Sequence, residues 1–153
     1  MTAQVDDPHS FEFDLDLGIR SQVVEHLESS PVLKLEKGCG PRESGVYALY
    51  HQGSLVYVGK ASKGTTKSQR NLRARLSEHV SKISGRANLT LDEMTFRYLV
   101  FASEWWVFAA EFALIAHYAP EWNASGFGSK TPGAGRPGTD RVSRWNEIYP
   151  VRK

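Results

Sequence analysis

Residues 44–61 read SGVYALYHQGSLVYVGKA. Two runs of aliphatic and aromatic residues flank a turn containing glycine, the pattern of a β-hairpin. Its register decides whether Tyr47 and Tyr57 can work together. A two-residue loop at Gln52 and Gly53 pairs Ala48 with Tyr57 and sends the tyrosines to opposite faces, since side chains alternate along a strand. A three-residue loop of His51, Gln52 and Gly53 instead pairs Tyr47 with Tyr57 on one face, and puts glycine where a type I turn with a G1 bulge needs positive φ. The three-residue register is expected here. Tyrosine is also simply a good strand former, so the pair by itself does not mark a site.

Working outward, Leu72, Leu76, Val80 and Ile83 recur at steps of four and three, which predicts a helix over 67–83, stopped by Gly85. Residues 94–101 (MTFRYLVF) form a third strand. Ser103 can cap a helix over 104–118, which ends before Pro120. The order strand, strand, helix, strand, helix implies an α+β fold with a small central antiparallel three-stranded sheet flanked by helices. Upstream, Ile19, Val23, Val24 and Leu27 share one face of a short helix within 17–29, and the first ten residues read as a loose tail. From Trp122 onward, Gly126, Gly128, Gly133, Gly135 and Gly138 with Pro132 and Pro137 predict an irregular C-terminal segment. Trp145 argues that part of this segment is docked, because so large an apolar side chain gains from burial.

The chain has 153 residues with 41% hydrophobic and 24% charged side chains. That suits one globular domain and excludes fibrous and disordered classes. The net charge of +2 conceals an asymmetry. Residues 1–36 hold eight acids against Arg20 and Lys34, which leaves nine acids and seventeen bases in residues 37–153, a net charge of +8. The chain therefore divides into an acidic N-terminal extension over 1–36 and a basic domain over 37–153 that includes the glycine-rich end. A basic domain suits a polyanion, whose counterions are released when lysine or arginine meets phosphate. A single cysteine, Cys39, rules out an internal disulfide, and the acidic N-terminus lacks the pattern of a signal peptide. A cytoplasmic location is expected. The apolar run over 105–119 contains Glu111 and falls short of the ~20 residues of a membrane span.

Four further residues stand out. Arg75 and His79, four apart on the expected helix, are surface neighbours that flank its apolar stripe. They are either part of a solvated basic face, with Arg70 and Arg73 nearby, or the rim of a cleft. Glu111 lies in WWVFAAEFALI, where a carboxylate is costly unless paired or bound to a metal. Its partner is then either an arginine such as Arg75 or Arg97, or a cation. Asn123, in EWNAS, is either a turn residue or part of a site.

Taken in order, these residues resemble the GIY-YIG nuclease superfamily: GVY at residues 45–47, YVG at residues 57–59, the arginine and histidine four apart, a glutamate in an apolar helix, and an asparagine beyond it. GVYALY, YVGKA and the run from GFGS through SRWN are similar to the small type II restriction endonucleases of that superfamily. The similarity runs from about residue 44 to the C-terminus. Members of this branch often carry base-reading insertions in the core, for which a three-residue hairpin loop leaves no room.

The resemblance implies a Mg²⁺-dependent endonuclease acting on double-stranded DNA, with Mn²⁺ able to substitute. Glu111 would hold a single metal ion, and Arg75 would contact the scissile phosphate. Tyr47 would act as general base despite the high pKa of a phenol, helped by Arg75, Lys60 and the metal. His79 would bond the nucleophile or relay its proton, Tyr57 would orient water or phosphate, and Asn123 would hold the site's geometry. Lys60 is a further phosphate contact. Lys130, Arg136, Arg141 and Arg144 would line the duplex or read guanines. Glycine at 59 is expected to let the DNA backbone come close. A homodimer on a palindromic site is implied, with a DNA methyltransferase in the same system but no direct binding to it. Two other readings share these residues: a low-specificity or structure-selective nuclease of repair or defence, and a catalytically idle DNA-binding module.

Overall fold

The computed structural model describes residues 8–12, 14, 16–63, 70–127 and 143–153. In chain order its main elements are helix α1 (Ser21–Ser29), strands β1 (Leu33–Lys34), β2 (Gly45–His51) and β3 (Ser54–Ala61), helix α2 (Leu72–Ser84), strand β4 (Met94–Val100), and helices α3 (Glu104–Tyr118) and α4 (Arg144–Ile148). The sheet is antiparallel throughout, with order β1-β4-β2-β3. It therefore has four strands, not the expected three. The added strand pairs Leu33 with Phe96 and Lys34 with Thr95, and two residues are too few to show a period of two in the sequence.

Both faces of the sheet are covered, which is why β2 and β3 read as nearly unbroken apolar runs. On one face Tyr47, Leu49, Val56 and Tyr57 pack beneath Leu72, Leu76, Val80 and Ile83 of α2, together with Trp122, Phe127 and Trp145. On the other, Val46, Ala48, Val58 and Leu99 meet Leu27 of α1 and Val107, Ala110 and Leu114 of α3. Asn71 caps α2, its side-chain oxygen accepting from the Ala74 N–H at 2.9 Å. Ser103 precedes α3 but its side chain makes no capping bond there. At the other end of α3, Ala119 adopts the left-handed conformation just before Pro120. α1 is preceded by a π-helical turn (Asp16–Arg20).

The hairpin reaches its geometry by a route other than the one expected. His51 pairs with Ser54, so the loop has two residues, Gln52 and Gly53, with φ of 51° and 84°. Two successive positive φ values belong to the primed turns that match strand twist. By alternation alone that loop would put Tyr47 and Tyr57 on opposite faces. The register shifts between Leu49 and Tyr50, however, so that Tyr50 faces Leu55 while Leu49 faces Tyr57, leaving Val56 as an extra residue. This one-residue bulge inverts the alternation beyond it and returns Tyr57 to the face of Tyr47. The shared face thus comes from turn and bulge together, and Tyr47 pairs with Gly59 rather than with Tyr57.

Most of the glycine-rich stretch expected to be irregular, residues 128–142, lies outside the described residues. The described residues on either side of it include a 3₁₀ turn (Glu121–Ala124) and α4, and Trp145 of α4 is fully buried against Trp122 and Phe127. Arg86, just beyond the end of α2, secures α4 by donating to the Asn146 side-chain oxygen at 2.6 Å and to the Tyr149 carbonyl at 3.2 Å.

Candidate active site

The site forms at the β3 edge of the sheet, where β2, β3, α2 and α3 converge. Tyr47 is fully buried in the centre of β2, and its hydroxyl lies 2.6 Å from Nε2 of His79, itself almost fully buried on α2. Tyr57 lies beside both rings, its centroid 6.1 Å from that of Tyr47 and 5.2 Å from that of His79. Arg75, one turn before His79, is half-buried and bonds Oε2 of Glu78 at 2.9 Å. A surface ion pair of Glu78 with Arg70 completes that edge.

Gly59 is also constrained from within the protein. A Cβ built there would lie 2.4 Å from the Tyr47 hydroxyl oxygen and 2.5 Å from Cζ of the same ring. The residue is small because the phenol lies over its Cα, a close approach that follows from the pairing of Tyr47 with Gly59.

Asn123 acts on the backbone of the edge strand. Its Oδ1 accepts from the Val58 N–H at 2.9 Å and its Nδ2 donates to the Val58 carbonyl at 2.8 Å. One amide side chain thus takes the place of a neighbouring strand, satisfying both polar groups of the residue between Tyr57 and Gly59. Phe127 was not singled out by the sequence, yet it stacks on the His79 imidazole at 4.8 Å with a 23° interplanar angle and meets Tyr57 edge-on at 4.9 Å. The only sequence sign was its place in GFGS.

Glu111 projects from α3 with 23% of its side chain exposed. Its partner is neither of the expected arginines. Lys60 approaches it, Nζ to Oε1 at 4.0 Å, while lying 3.3 Å above the Phe108 ring. Arg97 points away and donates to the carbonyls of Leu27, Glu28 and Ser30 at the C-terminus of α1, where a cation is favoured by the helix dipole. Arg144 is exposed in the first turn of α4, whereas Lys130, Arg136 and Arg141 lie outside the described residues.

Burial dominates the electrostatics. Desolvation pushes the Tyr47 phenol well above its usual pKa, the neighbouring Tyr57 adding to the rise and Arg75 opposing it. Tyr57 is raised for the same first reason. Desolvation lowers His79 to about 3, helped by the charges of Arg75 and Lys82, so its imidazole is neutral at physiological pH. Burial raises the Glu111 carboxyl above its ordinary value, with Lys60 and Arg75 pulling it back.

His79 makes stability depend on pH with a definite sign. Its pKa is depressed on folding, so the unfolded chain takes up a proton that the folded chain refuses, and stability falls as pH drops from about 6.5 toward 3. The contribution approaches about 1.4 kcal/mol per pH unit. Denaturant melts at a series of pH values should show this slope in the wild type and a shallower one in His79→Gln. Parallel decline in both proteins would remove His79 as the cause.

Among the described residues there is no group of three or more His, Cys, Asp or Glu that could enclose an ion. Glu111 therefore belongs to no such group there, and Lys60 is already drawn toward it. That donor set fits Mg²⁺, which is commonly held by one or two carboxylates with phosphate oxygens and waters, and does not fit zinc. No helix among the described residues is long and apolar enough to cross a membrane.

No curated protein matches the chain. Among solved structures, the GIY-YIG N-terminal endonuclease domain of UvrC from Thermotoga maritima, bound to its catalytic divalent cation magnesium, is 24% identical, with a TM-score of 0.37 over 67% of this chain and 96% of that one. A point mutant of the same domain bound to its catalytic divalent cation aligns at 24% identity and a TM-score of 0.37, over 67% and 94% of the two chains. The model of the Eco29kI GIY-YIG domain matches residues 51–153, a span that holds Tyr57, Arg75, His79, Glu111 and Asn123 and begins just after Tyr47. The chain belongs to the Eco29kI GIY-YIG domain family of DNA endonucleases.

Proposed function

We propose that this endonuclease is a sequence-specific type II restriction enzyme that hydrolyses double-stranded DNA as a homodimer on a two-fold site, with Tyr47, Tyr57, Arg75, His79, Glu111 and Asn123 as its active-site set. The observation that supports it most is the buried 2.6 Å contact between Tyr47 and a neutral His79, near Tyr57, Arg75, Lys60 and Glu111. A purely DNA-binding module has no use for a buried phenol and imidazole aligned for proton transfer, nor for a carboxylate turned toward a polyanion. An idle module is therefore the weaker reading.

In this mechanism Tyr47 donates its hydroxyl hydrogen to Nε2 of His79. With the phenol pKa raised, a standing phenolate is disfavoured, so Tyr47 works as a relay: it takes a proton from the attacking water while passing its own to His79. The water oxygen forms its bond to phosphorus as the bond to the 3′ oxygen breaks. Arg75 holds the scissile phosphate through charge-assisted hydrogen bonds that shorten as negative charge builds. Tyr57 orients the water or the phosphate, and Asn123 fixes the edge strand that carries Tyr57. Lys60 supplies a second phosphate contact, with Arg144, Lys130, Arg136 and Arg141 as contacts along the duplex. Glu111 would hold one Mg²⁺, or Mn²⁺ in its place, and the ion would supply positive charge to stabilise the leaving 3′ oxygen.

A digest tests the reading directly. Supercoiled plasmid incubated with the protein and Mg²⁺ should resolve into discrete bands, and chelation should stop the reaction. A smear would favour the second reading, a low-specificity nuclease of repair or defence, which the two-residue hairpin turn supports because it leaves no base-reading insertion there. Intact plasmid under all metal conditions would overturn both.

A further inference from the structure

Phe127 is 1% exposed and packs against four other rings. Its centroid lies 4.8 Å from the His79 imidazole, 4.9 Å from Tyr57, 4.8 Å from Trp122 and 4.9 Å from Trp145. With Tyr57 and His79 it closes a triangle whose third side is 5.2 Å. Tyr57 meets Phe127 and His79 edge-on, at 80° and 67°, whereas the phenyl and imidazole planes are only 23° apart. Both arrangements are ones that aromatic pairs prefer. The backbone holds Phe127 in this place. Gly126 precedes it at a φ of 92°, so close to the returning chain that a Cβ would lie 2.4 Å from Cβ of Ser143. The Trp145 N–H donates to the Ser125 carbonyl at 2.9 Å, and the Lys82 ammonium donates to the carbonyl of Phe127 itself.

We infer that Phe127 is a positioning residue for the reaction: its flat face fixes the plane of the His79 imidazole so that Nε2 meets the Tyr47 hydroxyl, and it keeps water off that ring. The inference rests on the proton relay proposed above and deepens it. An imidazole turns easily about its last side-chain bond, whose torsional minima are broad. One hydrogen bond at 2.6 Å fixes the place of Nε2 but leaves the rest of the ring free to swing about that contact. A second plane laid against it removes that freedom. Dryness matters as much, because the relay needs an imidazole that is neutral before it takes the proton. Among the described residues the titratable and charged groups packed about His79 are Tyr47 from β2, Tyr57 from β3, and Arg75 and Lys82 from its own helix, none of them an anion at neutral pH. Burial is the main reason that the imidazole pKa lies at about 3, and it outweighs the attraction of the Phe127 face for a cation. Without the phenyl ring, water would reach that face and the imidazole would tilt.

The experiment is an NMR titration of the full chain without metal or DNA, from about pH 8 to about pH 5, the span in which an ordinary histidine takes up its proton. The His79 ring signals are those missing from His79→Gln. In the wild type they should stay fixed over that span and lie upfield, shielded by the Phe127 ring. Signals that titrate, or that sit at unshifted positions, would overturn the inference without any variant. In Phe127→Leu and Phe127→Ala they should move with pH and lose the upfield shift. Cleavage by either variant with Mg²⁺ should show kcat about a hundredfold down at about pH 8, the scale for a misplaced catalytic group, and further down at about pH 6. KM for DNA should not change, because Phe127 is buried. Activity lost by the same factor at both pH values, with the His79 signals unmoved, would make Phe127 a core residue only. Wild-type activity in a folded variant would overturn the inference and leave the relay standing. Wild-type protein that leaves plasmid intact would end the relay and this inference with it.

Discussion

Glu111→Gln should lower cleavage by roughly a thousandfold or more, the scale seen when a central charge-stabilising group is removed, while DNA binding in the absence of metal is retained or tightened. Glutamine keeps the size and shape of the side chain but removes the charge of the carboxylate that would hold Mg²⁺. It also removes a like charge facing phosphate, which is why affinity should not suffer. The structure sharpens the control. Among the described residues the ion pair of Glu111 is with Lys60, at 4.0 Å and partly in solvent, so losing that pair costs no more than about 1 kcal/mol. Had Arg97 been its partner, the change would have stranded a half-buried cation, but Arg97 is held by the C-terminal carbonyls of α1. Melting curves of the two proteins should therefore nearly coincide while a metal-dependent cleavage assay separates them. Full activity in the stable variant would end the mechanism proposed here.

Gly59→Ala should be nearly as damaging to cleavage, and for a reason that lies outside any metal or substrate contact. The new methyl would sit 2.4 Å from the Tyr47 hydroxyl oxygen and 2.5 Å from Cζ. A phenol at the surface would swing aside, but this one is fully buried beside Tyr57 and meets His79 at its tip. The ring must shift within a packed core, at a cost of about 1–3 kcal/mol. A displacement of the phenol of about 1 Å breaks the 2.6 Å contact with His79, and misplacement of that size costs on the order of a hundredfold in rate. The readouts are the melting temperature and the cleavage rate of the same preparation. Wild-type values for both would mean that the ring gives way without consequence, and that the position of Tyr47 does not limit the reaction.

The sequence by itself determined the local elements and which residues are candidates for the site. Residues 72–83 repeat their apolar positions at helical spacing, residues 94–101 read as a strand, and GVY, YVG, Arg75, His79, Glu111 and Asn123 could be picked out as candidates because their types and order are legible one residue at a time. Each of those signals comes from neighbours within a turn or two of chain. What only the tertiary structure decided depends on residues far apart. The bulge at Val56 exists to fit Tyr57 under α2 while Leu55 stays on the opposite face, so no rule about loop length could foresee it. The need for glycine at 59 is set by a ring twelve residues away across the ladder, and the partner of Glu111 by the crossing of β3 and α3. Asn123 and Phe127 reach the site from some sixty-five and forty-eight residues beyond Val58 and His79. Such contacts are fixed by packing density and by the satisfaction of buried polar groups, which belong to the folded chain as a whole and leave no periodic trace in its sequence.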